Sequence, residues 1–119
     1  MTAVPDDARQ ALDVLKSVGG DDMVAMLMRT FVQFADERVA KLIEEADQSR
    51  WEEVASIAHA LKSSARQLGA NALSDACGTA EDAGRRDDAA GTLAGVAAIQ
   101  REYQPARSWM DALATPATS

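Results

Sequence analysis

The chain has 119 residues, with 19 acidic and 12 basic side chains, one histidine, one cysteine and a formal net charge of −7. This length fits a single domain over residues 1–119 that needs no disulfide to hold its core. The acidic balance argues against nucleic acid as a partner, because phosphate binding needs a basic surface. No apolar run reaches the roughly 20 residues of a membrane span, and a lone cysteine suits a reducing compartment, so we expect a cytoplasmic protein that does not bind membranes.

The first predicted element is a short helix that follows a frayed tail over residues 1–5. Asp6 or Asp7 can cap its N-terminus, because a carboxylate accepts hydrogen bonds from the first free backbone N–H groups. Its apolar face comprises Ala8, Leu12, Leu15 and Val18. Gly19 and Gly20 are expected to end it, since glycine readily adopts the left-handed conformation found at helix stops.

A long second helix is predicted from about Asp22 to Asp47. Its apolar stripe consists of Val24, Leu27, Met28, Phe31, Ala35, Leu42 and Ala46. Met26 lies off this stripe, and Met23 and Phe34 lie towards its edge. Methionine adapts to imperfect surfaces, so these three residues, with Ala55 of the next helix, form a candidate partner-docking patch. The alternative is scattered apolar surface residues of no function, which are common.

The third predicted helix begins near Ser49, ends at about Leu68 and is stopped by Gly69. Ser49 followed by Glu52 and Glu53 is typical of a helix N-terminus. The apolar stripe of this helix comprises Val54, Ile57, Ala58, Leu61, Ala65 and Leu68.

His59 is the candidate reactive residue, because it lies on this third helix but roughly 150° away from the middle of the apolar stripe. We therefore expect its imidazole to be exposed and unpaired. Lys62 and Ser63 follow one turn on, and Arg66 two turns on. An exposed imidazole is mostly neutral at pH 7 and can act as a nucleophile. The alternative interpretation is a neutral polar residue on a solvated helix face.

A fourth helix, capped by Asn71, is predicted to follow Gly69. Its stripe comprises Leu73, Ala76, Cys77 and Ala80. Cys77 is interpreted as a small buried apolar residue, because nothing near it would activate a thiol. A charged turn over residues 84–88 then leads to the last helix.

The last predicted helix begins near Asp88 and precedes a frayed tail over residues 114–119. Its packing seam comprises Val96, Ile99, Tyr103, Ala106, Met110 and Leu113. Pro105 predicts a kink or break around residues 102–104, since an interior proline removes a backbone hydrogen bond. Trp109 lies off the seam and is expected to cover the end of the bundle. Together the five elements predict an all-α fold, an antiparallel four-helix bundle with a short additional N-terminal helix.

The segment around His59 resembles the signature of histidine-containing phosphotransfer (HPt) domains. That signature is His-x-x-Lys-[Gly/Ser] with a glycine ten residues after the histidine, and His59, Lys62, Ser63 and Gly69 match it. Many members carry glycine where this chain has Ser63, a small residue that leaves the imidazole accessible. The resemblance covers about residues 10–100 and continues downstream at Ala70, Leu73, Cys77 and Glu81.

The resemblance implies a phosphocarrier of a two-component phosphorelay. His59 would be the phosphoacceptor, with Lys62, Ser63 and Arg66 as neighbours of the phosphate. It would take a phosphoryl group from the receiver domain of a hybrid sensor histidine kinase and donate it to a response regulator. Mg²⁺ would belong to the partner receiver domain only, so no metal or cofactor is expected on this chain. The sequence has no nucleotide-binding glycine loop, so we expect no ATP-dependent enzyme activity.

Other functions stay open on the sequence alone. The second choice is an adaptor bundle that binds a receiver or kinase without accepting phosphate. A metal or haem bundle is disfavoured because one histidine cannot build a closed site, and a hydrolase lacks a second catalytic group beside His59. We expect a monomer, although a dimer through the last helix is compatible with the pattern. The initiating methionine and both tails favour a free-standing chain over a piece of a larger kinase.

Overall fold

The computed structural model describes residues 4–114, and within that range the chain is helical without any β-strand. The helices are α1 (Asp6–Asp47), α2 (Trp51–Gln67), α3 (Asn71–Arg85) and α4 (Ala89–Ala114). Successive helices pack side by side, and α4 returns to pack against α1. The predicted all-α bundle is confirmed. No helix in residues 4–114 is long and apolar enough to cross a membrane.

α1 is two helical segments joined at Gly20, whose backbone lies at φ 73° and ψ −170°. This break separates the predicted short N-terminal helix from the long second helix, and it occurs where a glycine tolerates a positive φ. Ala8 and Leu12 of the first segment are buried, whereas Val18 is largely exposed. The expected apolar face is therefore wrong at Val18, whereas Leu15 is partly buried and packs against the core.

The N-terminal segment of α1 packs against the turn between α2 and α3. Gly69 lies in this turn with φ 80°, and a Cβ atom there would come within 2.6 Å of the Cα atom of Ala8. Glycine is required at this position both for the backbone conformation and for the close approach. The predicted stop of the His59-bearing helix at Gly69 is confirmed, since α2 ends at Gln67.

Most of the predicted N-terminal caps are wrong. The side chains of Asp6, Asp7, Ser49 and Asn71 do not cap, and the cap positions of α1, α2 and α3 are held by Pro5, Arg50 and Ala70. Ser49 precedes the cap of α2 and has a left-handed backbone at φ 59°. α4 begins next to Asp88 as expected, and the Asp88 carboxylate caps it by accepting a hydrogen bond of 3.0 Å from the backbone N–H of Gly91.

Small residues let α3 approach both of its neighbours closely. A Cβ atom at Gly84 would lie 2.6 Å from the carbonyl oxygen of Trp51 on α2, and one at Gly95 of α4 would lie 2.6 Å from the Cα atom of Ala80. The large side chains that fill the core include Met28, Leu42, Leu61, Leu73, Ile99 and Met110. This close packing fixes the face of α3 that is turned towards α2.

α4 continues through Pro105, so the expected break around residues 102–104 is wrong. The buried side chains of Tyr103 and Ala106 hold the chain on both sides of the proline. Asp36 of α1 adds a polar contact, because it accepts hydrogen bonds from the Tyr103 hydroxyl and from two nitrogens of Arg107. Packing and these cross-helix bonds therefore outweigh the missing backbone hydrogen bond.

The ends of the described chain are more ordered than the predicted tails. Ala114 is helical and buried, and Val4 packs against the core, so both lie outside any frayed tail. Trp109 is buried beside the turn between α2 and α3, where it closes that end of the bundle as expected. The remainder of both predicted tails, residues 1–3 and 115–119, lies outside the described residues.

Candidate functional site

His59 lies on the outer face of α2, and its side chain is 57% exposed. The opposite face of the helix supplies buried side chains to the core, namely Val54, Ala55, Ala58, Leu61 and Ala65. The amphipathic pattern of α2 thus determines both the burial of one face and the presentation of the imidazole on the other. The predicted exposure of His59 is confirmed.

The imidazole of His59 is nevertheless paired, which corrects the expectation that it is unpaired. Its Nδ1 atom lies 2.8 Å from Oε2 of Glu81 on α3. The Glu81 side chain is only 9% exposed and points across the interface between the two helices. The helical wheel of α2 could not reveal this partner, because Glu81 belongs to a different helix.

Lys62 contacts the same carboxylate from one turn further along α2. Its Nζ atom lies 2.6 Å from Oε1 of Glu81, so His59 and Lys62 occupy different oxygens. Gly78 on α3 faces the lysine stem, since a Cβ atom there would be in ordinary van der Waals contact with Cδ of Lys62 at 3.7 Å. The Ser74 hydroxyl donates to the Lys62 carbonyl oxygen and adds a further contact between the helices. Lys62 is therefore directed at Glu81 in the unphosphorylated protein.

The charge of Glu81 determines which nitrogen of His59 carries the proton. Burial alone would raise the pKa of Glu81, but the hydrogen bonds from Lys62 and His59 outweigh it, and the net pKa is lowered. Glu81 is thus ionised at neutral pH and can only accept hydrogen bonds. It follows that the Nδ1 atom of a neutral His59 donates its proton to Glu81, and that Nε2 keeps a free lone pair.

Arg85 is a fourth member of this polar cluster, which sequence reasoning missed. Its Nε and Nη2 atoms each lie 3.3 Å from Oε2 of Glu81, and its Nη1 atom donates to Oε1 of Glu52 on α2 over 2.8 Å. The spacing of four residues between Glu81 and Arg85 on α3 was the available signal, because such pairs face each other on a helix. The pair Glu52–Arg85 could not be found in this way, since it joins two helices.

Ser63 and Arg66 lie on the exposed side of α2 without joining the cluster. The Ser63 hydroxyl donates to the backbone carbonyl of His59 over 3.4 Å. Arg66 is exposed and makes no ion pair with any residue between 4 and 114. Of the four predicted site residues, the structure brings His59 and Lys62 together through Glu81 and leaves Ser63 and Arg66 apart from that carboxylate.

Three of the four residues of the candidate docking patch are at least partly exposed. Met26 is 51% exposed, while Met23 and Phe34 are half-buried. Ala55 is 0% exposed, so its proposed docking role is wrong. The reason is the close approach of Gly84, because a Cβ atom at that glycine would lie 3.0 Å from Cβ of Ala55.

An apolar groove lies between α1 and α2 beside this patch. It has a volume of about 250 Å³ and is lined by Leu27, Thr30, Phe31, Phe34, Ser64, Gln67 and Leu68. The Phe34 ring is further covered by the guanidinium of Arg38, which lies 5.3 Å from the ring centroid. The groove extends the patch from α1 onto the helix that carries His59.

Neither the cysteine nor the acidic residues offer a second kind of site. Cys77 is buried, and burial raises the pKa of its thiol to about 12, so it is not a nucleophile at neutral pH. Residues 4–114 contain no group of three or more His, Cys, Asp and Glu side chains that could hold a metal ion. Among the described residues, His59 therefore stays the candidate reactive group, with the lone pair of Nε2 exposed on α2.

The Hpt domain family model matches residues 26–109, which include His59, Lys62, Glu81 and Arg85. The chain belongs to the Hpt domain family. No curated protein sequence matches it. The resemblance noted at the His59 signature is therefore confirmed over most of the chain.

Solved Hpt proteins have the same fold. Histidine-containing phosphotransfer protein B from Pseudomonas aeruginosa PAO1 is 24% identical, with a TM-score of 0.84 over 92% of this chain and 95% of that one. Histidine-containing phosphotransfer protein ZmHP2 from maize is 23% identical, with a TM-score of 0.79 over 91% of this chain and 80% of that one. The helical bundle described above is thus the Hpt fold, and its family function is histidine phosphotransfer in phosphorelays.

Proposed function

We propose that this Hpt domain is a phosphocarrier in which Nε2 of His59 accepts a phosphoryl group from one receiver-domain aspartate and passes it to another. The observation that carries the proposal is the exposed imidazole of His59 with its Nδ1 atom bonded to the ionised Glu81. This arrangement leaves a lone pair on Nε2, the ring nitrogen that does not bond to Glu81. An imidazole with these properties is a suitable nucleophile for phosphorus.

The transfer step needs no group beyond the two proteins and the receiver's Mg²⁺. The Nε2 lone pair attacks phosphorus of the aspartyl phosphate, the N–P bond forms as the P–O bond to the aspartate breaks, and the aspartate carboxylate leaves. Nδ1 keeps its proton, so the phosphorylated ring is an imidazolium that faces the Glu81 carboxylate. Because Glu81 stabilises the charge that develops on the ring, it lowers the barrier for transfer from the receiver to His59.

Lys62 has two roles in this proposal. In the resting state its ammonium group neutralises Glu81, and it lies one turn from His59, within reach of phosphoryl oxygens. The incoming group adds close to two negative charges, which Lys62 and the exposed Arg66 can offset when a docked receiver excludes water. Ser63 contributes by being small, which leaves the approach to Nε2 open.

The partner is expected to dock over the exposed face of α2 and the groove beside it. Ser56, Ala60 and Ser63 are small exposed residues around His59, so a partner surface can come close to Nε2. The apolar groove and Met26 then offer area for apolar contacts on α1. Receiver domains of a hybrid sensor kinase and of a response regulator are the proposed partners, in the cytoplasm and with this chain as a monomer.

Incubating the chain with a labelled, phosphorylated receiver domain tests the proposal. We expect label to move to this chain in an acid-labile, alkali-stable form, as is typical of phosphohistidine, and to move on when a second receiver is added. ATP alone is expected to give no label, since this phosphocarrier takes its phosphoryl group from a receiver. Binding of the receiver without any label on this chain would contradict the proposal and favour the adaptor function.

Met26→Asp tests the docking surface. Met26 lies one turn before Thr30, which lines the groove, so a charge there should weaken receiver docking. We expect kcat/KM for transfer to fall about threefold to tenfold, a loss of about 1 kcal/mol that is typical of one apolar interface contact. Leu93→Asp on α4 is the matched control, because Leu93 is 50% exposed on a helix that packs against α1 and α3. Equal rates for both variants would exclude this surface.

A further inference from the structure

We propose that Arg85 is a phosphoryl-binding residue of this site, and that Glu52 competes with the phosphoryl group for it. The inference rests on the proposed function and adds two residues to it. Arg85 would shift the phosphoryl equilibrium towards His59, while Glu52 would shift it back towards the receiver. Arg85 and Glu52 together therefore set the equilibrium constant for phosphoryl exchange between the receiver and His59.

The resting contacts of Arg85 place its guanidinium between two carboxylates. One edge donates to Glu81 through two long contacts of 3.3 Å, and Nη1 donates to Glu52 through a short one of 2.8 Å. Oε2 of Glu81 already accepts from Nδ1 of His59. The guanidinium and the imidazole thus share one oxygen atom, which makes Arg85 an immediate neighbour of the reactive ring.

The direction of the helices places Arg85 on the side where the phosphoryl group is expected. α2 and α3 are antiparallel, since Glu52 pairs with Arg85 and His59 pairs with Glu81. Side chains on a helix lean towards its N-terminus, so the ring of His59 leans back over the turn that leads to Glu52. A phosphoryl group on Nε2 would lie near that turn, where Arg85 adds a further cation to Lys62 and Glu52 is the opposing charge.

The contact between Arg85 and Glu52 is weak enough to be replaced. The Glu52 side chain is 65% exposed, and an ion pair between exposed side chains contributes little to stability because water screens it. A phosphoryl group carries more charge than a carboxylate and matches the planar fork of arginine with two parallel hydrogen bonds. Arg85 should therefore leave Glu52 when His59 is phosphorylated and return when the group moves on.

The equilibrium constant for phosphoryl exchange between a receiver and this chain is the direct readout. It compares aspartyl phosphate plus free His59 with free aspartate plus phosphohistidine, so no water or other reactant enters the balance. Arg85→Ala should lower the constant about fivefold, and Arg85→Lys should recover it only in part, because lysine lacks the fork. Glu52→Gln should raise it about twofold by releasing Arg85.

Neighbouring residues supply matched controls. Arg86→Ala and Glu53→Gln make the same changes of charge at exposed positions next in sequence, and we expect the equilibrium constant of each to equal that of wild type within the error of the measurement. In the double variant E52Q/R85A, the gain from E52Q should disappear, because no arginine is left to release. Thermal unfolding of each variant confirms that the bundle is folded.

The possible outcomes separate this inference from the proposed function. An unlabelled wild-type chain would overturn the phosphocarrier proposal itself. A labelled wild type whose equilibrium constant is unchanged in R85A would overturn only the role of Arg85. A gain from E52Q that persists in R85A would show that Glu52 acts by repulsion alone, and would overturn the competition between the two acceptors.

Discussion

His59→Gln is expected to abolish phosphoryl acceptance and to leave the bundle folded. The glutamine amide can still donate a hydrogen bond towards Glu81, but it has no nitrogen lone pair that can attack phosphorus. The replaced ring is 57% exposed, and glutamine keeps a donor for Glu81, so we expect the free energy of unfolding to change by no more than about 1 kcal/mol, the usual contribution of one hydrogen bond. Receiver transfer assays and thermal unfolding, run on the same preparation, measure both effects.

A relocated histidine is the control for this variant. In the His59→Gln background, Gln67→His places an exposed imidazole on the last turn of α2, away from Glu81. We expect this double variant to stay unlabelled, because its imidazole lacks the ionised partner and the neighbouring Lys62. Label on H59Q alone would show that another residue accepts the group. Label on the double variant at the wild-type rate would show that any exposed imidazole on this helix is sufficient.

Glu81→Ala is expected to slow transfer from a receiver by about tenfold to a hundredfold. The variant removes a hydrogen bond to a charged group, worth about 1.5–3 kcal/mol, that stabilises the imidazolium formed during transfer. It also frees the proton of His59 to occupy either ring nitrogen, so a part of the molecules would present Nε2 without its lone pair. Single-turnover transfer rates measure the effect.

Glu81→Gln separates the charge of this residue from its geometry. The amide oxygen can still accept from Nδ1 of His59, so we expect a smaller loss of rate than in Glu81→Ala. Asp82→Asn removes the neighbouring exposed carboxylate of α3 and should leave the rate unchanged. Rates in E81Q and E81A that equal the wild-type rate would contradict a role for Glu81 in the transfer step.

Features that depend on one helix were predictable from the sequence. The position of His59 opposite the stripe of Val54, Ala58 and Leu61 follows from the helical period, and the structure has this arrangement. The break at Gly20 and the turn at Gly69 were predictable for a similar reason, because glycine tolerates positive φ. In each case the backbone preference that made the prediction possible is local, although Gly69 is also required by the close approach of Ala8.

Features that depend on two helices were not predictable in this way. Glu81 matched a family position, but nothing in its own helix shows that it bonds to His59 and Lys62. The burial of Ala55 was not predictable either, because the close approach of Gly84 that buries it depends on how α2 and α3 pack. Helical periodicity gives the face on which a side chain lies, while its partner depends on the register between helices.

The most direct test of the account is the position of the phosphoryl group on the phosphorylated protein. Phosphorus and nitrogen NMR of the chain, phosphorylated by a receiver domain, can identify the ring nitrogen that bonds to phosphorus. We expect the phosphoryl group on Nε2 of His59, with Nδ1 still protonated against Glu81. A phosphoryl group on Nδ1, or on any residue other than His59, would contradict the account.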